Sequence, residues 1–160
     1  MKRVTLLIPL LLFVIGILGC AALKHSYYKG QYIESQVQSY TYTTDFDYVW
    51  QQARALLFQK GYPVIGYDRR SKTMETDWVR VDNKENTFRR YLVSGYRASD
   101  GSNTVHFDYY EETHNPGYRP ASQTGRDYQL EYQLIHIVEP SKWAEIEQNA
   151  LEFAEKKSNQ

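Results

Sequence analysis

The spacing of apolar residues changes several times along the chain, and each change marks the edge of an expected element. Val4 to Leu18 is almost wholly apolar, interrupted by Thr5, Pro9 and Gly16. From Ala21 to Glu34 no helical or strand period shows, so this stretch reads as a tether. Its fourteen residues, extended at roughly 3.3 Å each, span about 45 Å. Ser35 to Thr44 alternates, with Val37 opposite in phase to Tyr40 and Tyr42, which predicts a strand. Phe46, Val49, Trp50, Ala53, Leu56 and Leu57 then recur at helical spacing. Thr44 or Asp45 can cap that helix, Asp47 lies in its first turn, and Gly61 stands just past its end.

Beyond Gly61 the period falls to two. "YPVIGYD" reads as a short strand, and "KTMETDWVRVD" as another with Met74, Thr76 and Trp78 on one face. "TFRRYLVSGYR" sets Phe88, Arg90, Leu92 and Ser94 against Arg89, Tyr91, Val93 and Gly95. Asp100-Gly101 is a strong hairpin signal, and "TVHFDYYEE" returns with Val105, Phe107 and Tyr109 on one face. Thr113 to Arg126, with two prolines and two glycines, reads as a long loop. "RDYQLEYQLIHIV" alternates, with Tyr128, Leu130, Tyr132, Leu134 and Val138 inward and Asp127, Gln129, Glu131 and Gln133 outward, and is expected as a last strand. Pro140 opens a helix in its first turn, and Trp143, Ile146, Ala150 and Phe153 form its stripe.

The expected fold class is therefore α+β, in the order β-α-β-β-β-β-β-α. An antiparallel sheet of about five to six strands, gripped by two helices in a helix-grip-like arrangement, buries every one of these stripes. Three segments are expected: a signal peptide over residues 1–19, a lipidated N-terminus and tether over 20–34, and a single α+β domain over 35–160. Fifteen tyrosines suit half-buried strands and support the β-rich reading.

Charge narrows the classes of partner. Nineteen basic and nineteen acidic residues cancel, and beyond Lys2 and Arg3 the chain has 17 basic against 19 acidic groups. That balance offers no basic face for nucleic acid and no polybasic patch for anionic lipid. At the N-terminus, Lys2 and Arg3 precede the apolar run as they do in a secretory signal. The run ends at Ile17-Leu18-Gly19-Cys20, which holds the only cysteine of the chain and resembles the lipobox of bacterial lipoproteins. The resemblance implies cleavage before Cys20, acylation of its thiol, and attachment to a membrane through that lipid. Ala21, where an aspartate would mark inner-membrane retention in proteobacterial lipoproteins, implies the periplasmic face of the outer membrane. An uncleaved membrane helix is the alternative, and needs about 20 apolar residues.

Two further segments carry a second resemblance. "DFDYVWQQARALLFQKGYPVIGYDRRSKTMETDW" and "RDYQLEYQLIHIVEPSKWAEIEQNA" together resemble bacterial envelope lipoproteins of helix-grip type, the BamC-like group. That resemblance implies a non-enzymatic accessory or scaffold protein, facing the periplasm and acting through contact with an envelope protein, in outer-membrane assembly or maintenance.

The residues with chemistry are few. His106, Asp108, Glu112 and His114 form the most suggestive cluster, the first three sharing one face of a strand, which is either a metal site or a polar solvent face; the latter is the expectation, and no metal is assigned. No zinc-helix spacing, second cysteine or Gly-x-Ser-x-Gly elbow occurs, so neither a cofactor nor an enzyme activity is expected. Arg69-Arg70 and Arg89-Arg90 can meet an anionic group, but Arg89 and Arg90 must point to opposite faces of their strand. Tyr118 and Arg119, in the middle of the long loop, are the candidate partner contact. The alternative function is a binder of a small apolar ligand or lipid in a sheet–helix cavity lined by Trp50, Trp78 and Trp143.

Overall fold

A computed structural model describes residues 7–82 and 86–158, with side chains from residue 23 onward. The fold is α+β: the described residues form a six-stranded antiparallel sheet with four helices. The elements are α1 (Leu7–Gln38), α2 (Phe46–Gln59), β1 (Val64–Asp68), β2 (Thr73–Thr76), β3 (Val79–Asp82), β4 (Thr87–Arg97), β5 (Asn103–Thr113), β6 (Ala121–Arg126), α3 (Tyr128–Val138) and α4 (Pro140–Ser158). They form two compact units, one drawn from α1 and from α4 beyond Trp143, the other running from Val37 to Trp143.

The larger unit carries the sheet, in the order β1-β2-β4-β5-β6. One flank of β4 is shared: β2 pairs with Leu92–Ser94, and β3 pairs with Thr87–Arg89. α2 and α3 pack together and against the sheet. Val49, Ala53 and Leu57 from α2, Leu134 and Ile135 from α3, and Val93 and Phe107 from the sheet are wholly buried. α2 forms as its spacing predicts. Asp45 caps it by accepting from Asp47 N and Tyr48 N, and Gly61 takes φ 84° just beyond its end.

Five expected elements change. The tether over residues 20–34 is helical and lies within α1. At about 1.5 Å per residue, the fourteen residues from Ala21 to Glu34 span roughly 21 Å rather than 45 Å. The least exposed side chains of this stretch are His25, Tyr28, Lys29, Tyr32 and Ile33, which is the i, i+3, i+4, i+7, i+8 spacing of one helix face. Lys29 Nζ pairs with Glu147 at 2.6 Å, and Tyr32 packs on Phe153, so the stripe meets α4. Val37 is buried at the end of α1, where a strand was expected; only Tyr42 keeps a bridge, to Asn103.

"KTMETDWVRVD" breaks at Asp77-Trp78 into β2 and β3. Met74 and Thr76 face the core, but Trp78 lies beside Arg90 on the other face of the sheet. The Thr76 hydroxyl accepts Tyr91 N at 2.8 Å, supplying the partner that the broken ladder lacks. Ala121–Arg126, expected as loop, is the edge strand β6, paired with Asp108–Thr113. Tyr128–Val138, expected as a strand, is α3. Asp127 accepts from Gln129 N at 3.1 Å and Leu130 N at 3.0 Å and so starts a helix. The second helix on the sheet is thus α3. α4 begins at Pro140 as expected, and Ile146, Ala150 and Ala154 are its buried residues.

The start of α3 explains a buried acid. Glu131 was expected to face solvent and is 2% exposed. β6 ends at Arg126, opposite Asp108, so the N–H of Phe107 has no ladder partner and donates to Glu131 Oε1 at 3.0 Å. Arg126 donates to both carboxylate oxygens, Nε to Oε1 at 2.7 Å and Nη2 to Oε2 at 2.6 Å. Burial pushes the Glu131 carboxyl up, against the pull of Arg126 and the Phe107 amide. Hydrogen bonds from the same pair push Arg126 up, towards its charged form. The three donors that converge on the carboxylate favour its charged form against that burial.

Candidate functional site

The opening with the most concentrated chemistry lies where the N-terminal half of α2 meets the β1–β2 hairpin and the end of β4. It is a cleft of about 500 Å³. Phe46 and Trp50 form one wall, with rings stacked at 5.5 Å, and Tyr67 continues it 6.3 Å from Trp50. Arg69, Lys72 and Arg97 add three cations against the single carboxylate of Asp47. Among the described residues, none of the three cations forms an ion pair with a carboxylate.

Local geometry holds these groups in place. Asp68 accepts from Arg70 N at 2.8 Å and Ser71 N at 3.4 Å, folding the turn that presents Arg69 and Lys72. Hydrogen bonding with Ser71 and the Arg70 amide lowers the Asp68 carboxyl. Lys72 has φ 53°, the left-handed region that a lysine occupies at a cost. Its carbonyl accepts Gly95 N at 2.9 Å, and its ammonium stands 4.7 Å from the Phe46 ring centre. Gly95 lets the aromatic wall close on the sheet: a Cβ there would lie 2.7 Å from Phe46 and 2.8 Å from Trp50. Gly95→Ala is expected to cost about 2 kcal/mol, mid-range for overpacking, because both rings are buried and must shift. Thermal unfolding by circular dichroism measures it, and an unchanged midpoint would show that the rings move freely.

A second cluster is built into the fold. Tyr91 donates its hydroxyl to Asp127 at 2.7 Å, and Tyr62 meets the Tyr91 ring edge-on at 4.7 Å. Burial, then the bond to Asp127, pushes the Tyr91 hydroxyl up, away from the reactive phenolate. Since Asp127 caps α3, this cluster ties β4 to that helix.

The expected site residues are scattered. Cys20 lies in the helical backbone of α1, and its side chain is outside the described ones, as are residues 1–6 of the expected signal peptide. Tyr118 and Arg119 lie in the turn between β5 and β6, both exposed, Tyr118 at 81%. The amide of Tyr118 donates to Asn115 O at 3.1 Å, and Gly117 takes φ 83°. His106, Asp108 and Glu112 lie on the face of β5 opposite Val105 and Phe107, and His114 follows the end of the strand; among the described residues only His114 and Glu112 approach, at 3.3 Å. Among the described residues, no three such side chains come together as a metal site.

The arginine pairs divide. Arg89 faces the helices and donates twice to Glu111, at 2.9 and 2.6 Å. Arg90 faces the other way, paired with Glu75 and lying over Trp78 and Tyr110. Of the four, only Arg69 reaches the cleft. The three tryptophans do not share a cavity either: Trp50 lines the cleft, Trp78 adjoins Arg90, and Trp143 packs on His136 and Tyr132. Tyr67 and Lys72 flank Arg69 in one hairpin without any sequence signal of a site, and Arg97 is brought to them by the sheet.

The class defined by fold is an α+β domain whose antiparallel sheet is gripped by helices on one face. No protein-family model and no curated protein matches the chain. Among the described residues no helix is long and apolar enough to cross a membrane.

Proposed function

We propose that the protein is a lipid-anchored lipoprotein of the bacterial cell envelope, similar to the BamC-like helix-grip group and acting as a non-enzymatic accessory through contact with an envelope protein. The observation that carries this reading is the tetrapeptide Ile17-Leu18-Gly19-Cys20 behind a basic start and an apolar run. Two or more acyl chains on one residue are enough for stable anchoring, and a lone cysteine suits attachment better than disulfide chemistry. Ala21 favours the outer membrane. The exposed turn bearing Tyr118 and Arg119 offers an aromatic and a fork of donors to a partner.

Cys20→Ser tests the anchor. Cells expressing the full chain are labelled with radioactive palmitate and fractionated. Labelling and membrane association are both expected for the natural chain and lost in Cys20→Ser. A variant that stays tightly membrane-bound and equally labelled would overturn the lipid anchor in favour of another mode of attachment.

A further inference from the structure

We propose that the cleft between α2 and the β1–β2 hairpin binds a small anionic group, a phosphate or a carboxylate, joined to a flat ring. Three observations converge on it. Among the described residues, the cleft gathers three cations with no carboxylate partner against one acid, on a chain whose 19 basic and 19 acidic residues cancel. Its wall is a run of three aromatic rings, Phe46 and Trp50 largely buried and Tyr67 53% exposed. A ligand with acid and ring side by side meets the cations with its acid and the exposed Tyr67 ring with its own.

The third observation is the backbone of Lys72. Glycine would take φ 53° without cost, yet a lysine stands there, with its carbonyl fixed to Gly95 N and its ammonium held over Phe46. Strain retained at a residue that points a charge into a cleft is a mark of function. Asn86, the other non-glycine residue with positive φ among the described residues, is a type that tolerates this region readily, and it does not line this cleft.

The site is independent of how the chain is anchored, so the outcome at Cys20 leaves it standing. Calorimetric titration of the full chain in detergent tests it, with phenyl phosphate, benzoate, inorganic phosphate and phenol as probes. Saturable one-to-one binding of phenyl phosphate or benzoate is expected, and the tighter of the two identifies the acid. Inorganic phosphate and phenol are each expected to bind at least tenfold more weakly. Lys72→Gly is expected to weaken binding about tenfold or more, the loss of one charged hydrogen bond, while the thermal midpoint holds or rises. Arg97→Gln is expected to weaken binding similarly. Absence of saturable binding by both ring acids, equal binding by Lys72→Gly, or inorganic phosphate binding as tightly as phenyl phosphate would each overturn the proposal.

Discussion

Arg126→Ala is expected to destabilise the larger unit by about 3–5 kcal/mol, the cost of leaving one partner of a buried ion pair behind. Glu131 is 2% exposed and keeps only the Phe107 amide once the guanidinium is gone. Its carboxyl is already pushed up by burial, and removing Arg126 pushes it further. A raised carboxyl pKa fixes the sign of the pH dependence. The protonated acid is stable in the interior, so the variant regains stability as pH falls and loses it as pH rises through the folded pKa. Urea unfolding at pH 5 and pH 8 should therefore show the larger deficit at pH 8. Glu131→Gln in the Arg126→Ala background is expected to recover part of the loss, because the amide oxygen still accepts from Phe107 N without a charge to bury. A deficit below about 1 kcal/mol that does not vary with pH would mean that water solvates Glu131 when the arginine leaves.

The same pair shows where pattern reading stops. From Tyr128 to Val138 the apolar residues fit a strand at every second position and a helix at i, i+4: Leu130, Leu134 and Val138 satisfy both. Two facts decide it, the Asp127 cap and an orphan amide on a neighbouring strand that Glu131 reaches from the helix. The amide is a tertiary fact and leaves no trace in the period. β6 was hidden for a different reason. Its residues Ala121 to Thr124 are all exposed, so no apolar alternation marks it, as befits a polar edge. α1 was hidden because its inward stripe is made of His25, Tyr28, Lys29 and Tyr32, residues that a hydrophobicity scale counts as polar or amphipathic.

What was legible had strong punctuation. α2 lies between an aspartate cap and a glycine stop, and the β4–β5 hairpin turns at Asp100-Gly101. The strict alternation of β4 and β5 correctly separates Arg89 from Arg90 and Phe107 from His106. The cleft was only a quarter legible. Arg69 stood out as part of a basic pair, but Arg97 is twenty-eight residues further on, and only the pairing of β2 with β4 brings the hairpin turn to the end of β4. Lys72 gave no sign of its left-handed backbone, since a lysine in a turn is ordinary in sequence.

Glu139→Gln is expected to loosen the segment that replaced the first strand, and to do so in a pH-dependent way. Tyr40 to Thr44 has no sheet to hold it beyond the Tyr42–Asn103 bridge. It is held by one carboxylate: Glu139 Oε1 accepts Thr43 N at 2.8 Å, Thr44 N at 2.9 Å and both threonine hydroxyls, while Oε2 accepts from Tyr40. Asn103 adds a bond from Nδ2 to Thr44 O at 2.7 Å. Burial alone would raise the Glu139 carboxyl, but the bonds from Tyr40, Thr44 and Thr43 outweigh it and hold it below its ordinary range. A depressed carboxyl stabilises the fold above its unfolded pKa, about 4.3, and that contribution disappears as pH falls through the lower folded value. At pH 7 Glu139→Gln should cost about 2 kcal/mol, the scale of hydrogen bonds to a charged acceptor discounted because water reaches Thr43. Below pH 4 the gap between variant and natural chain should narrow, since both then carry a neutral group. Hydrogen exchange at Thr43 and Thr44 gives the local readout: faster exchange is expected in the variant at pH 7. Protection at these two amides that matches the natural chain would show that Asn103 alone holds the segment.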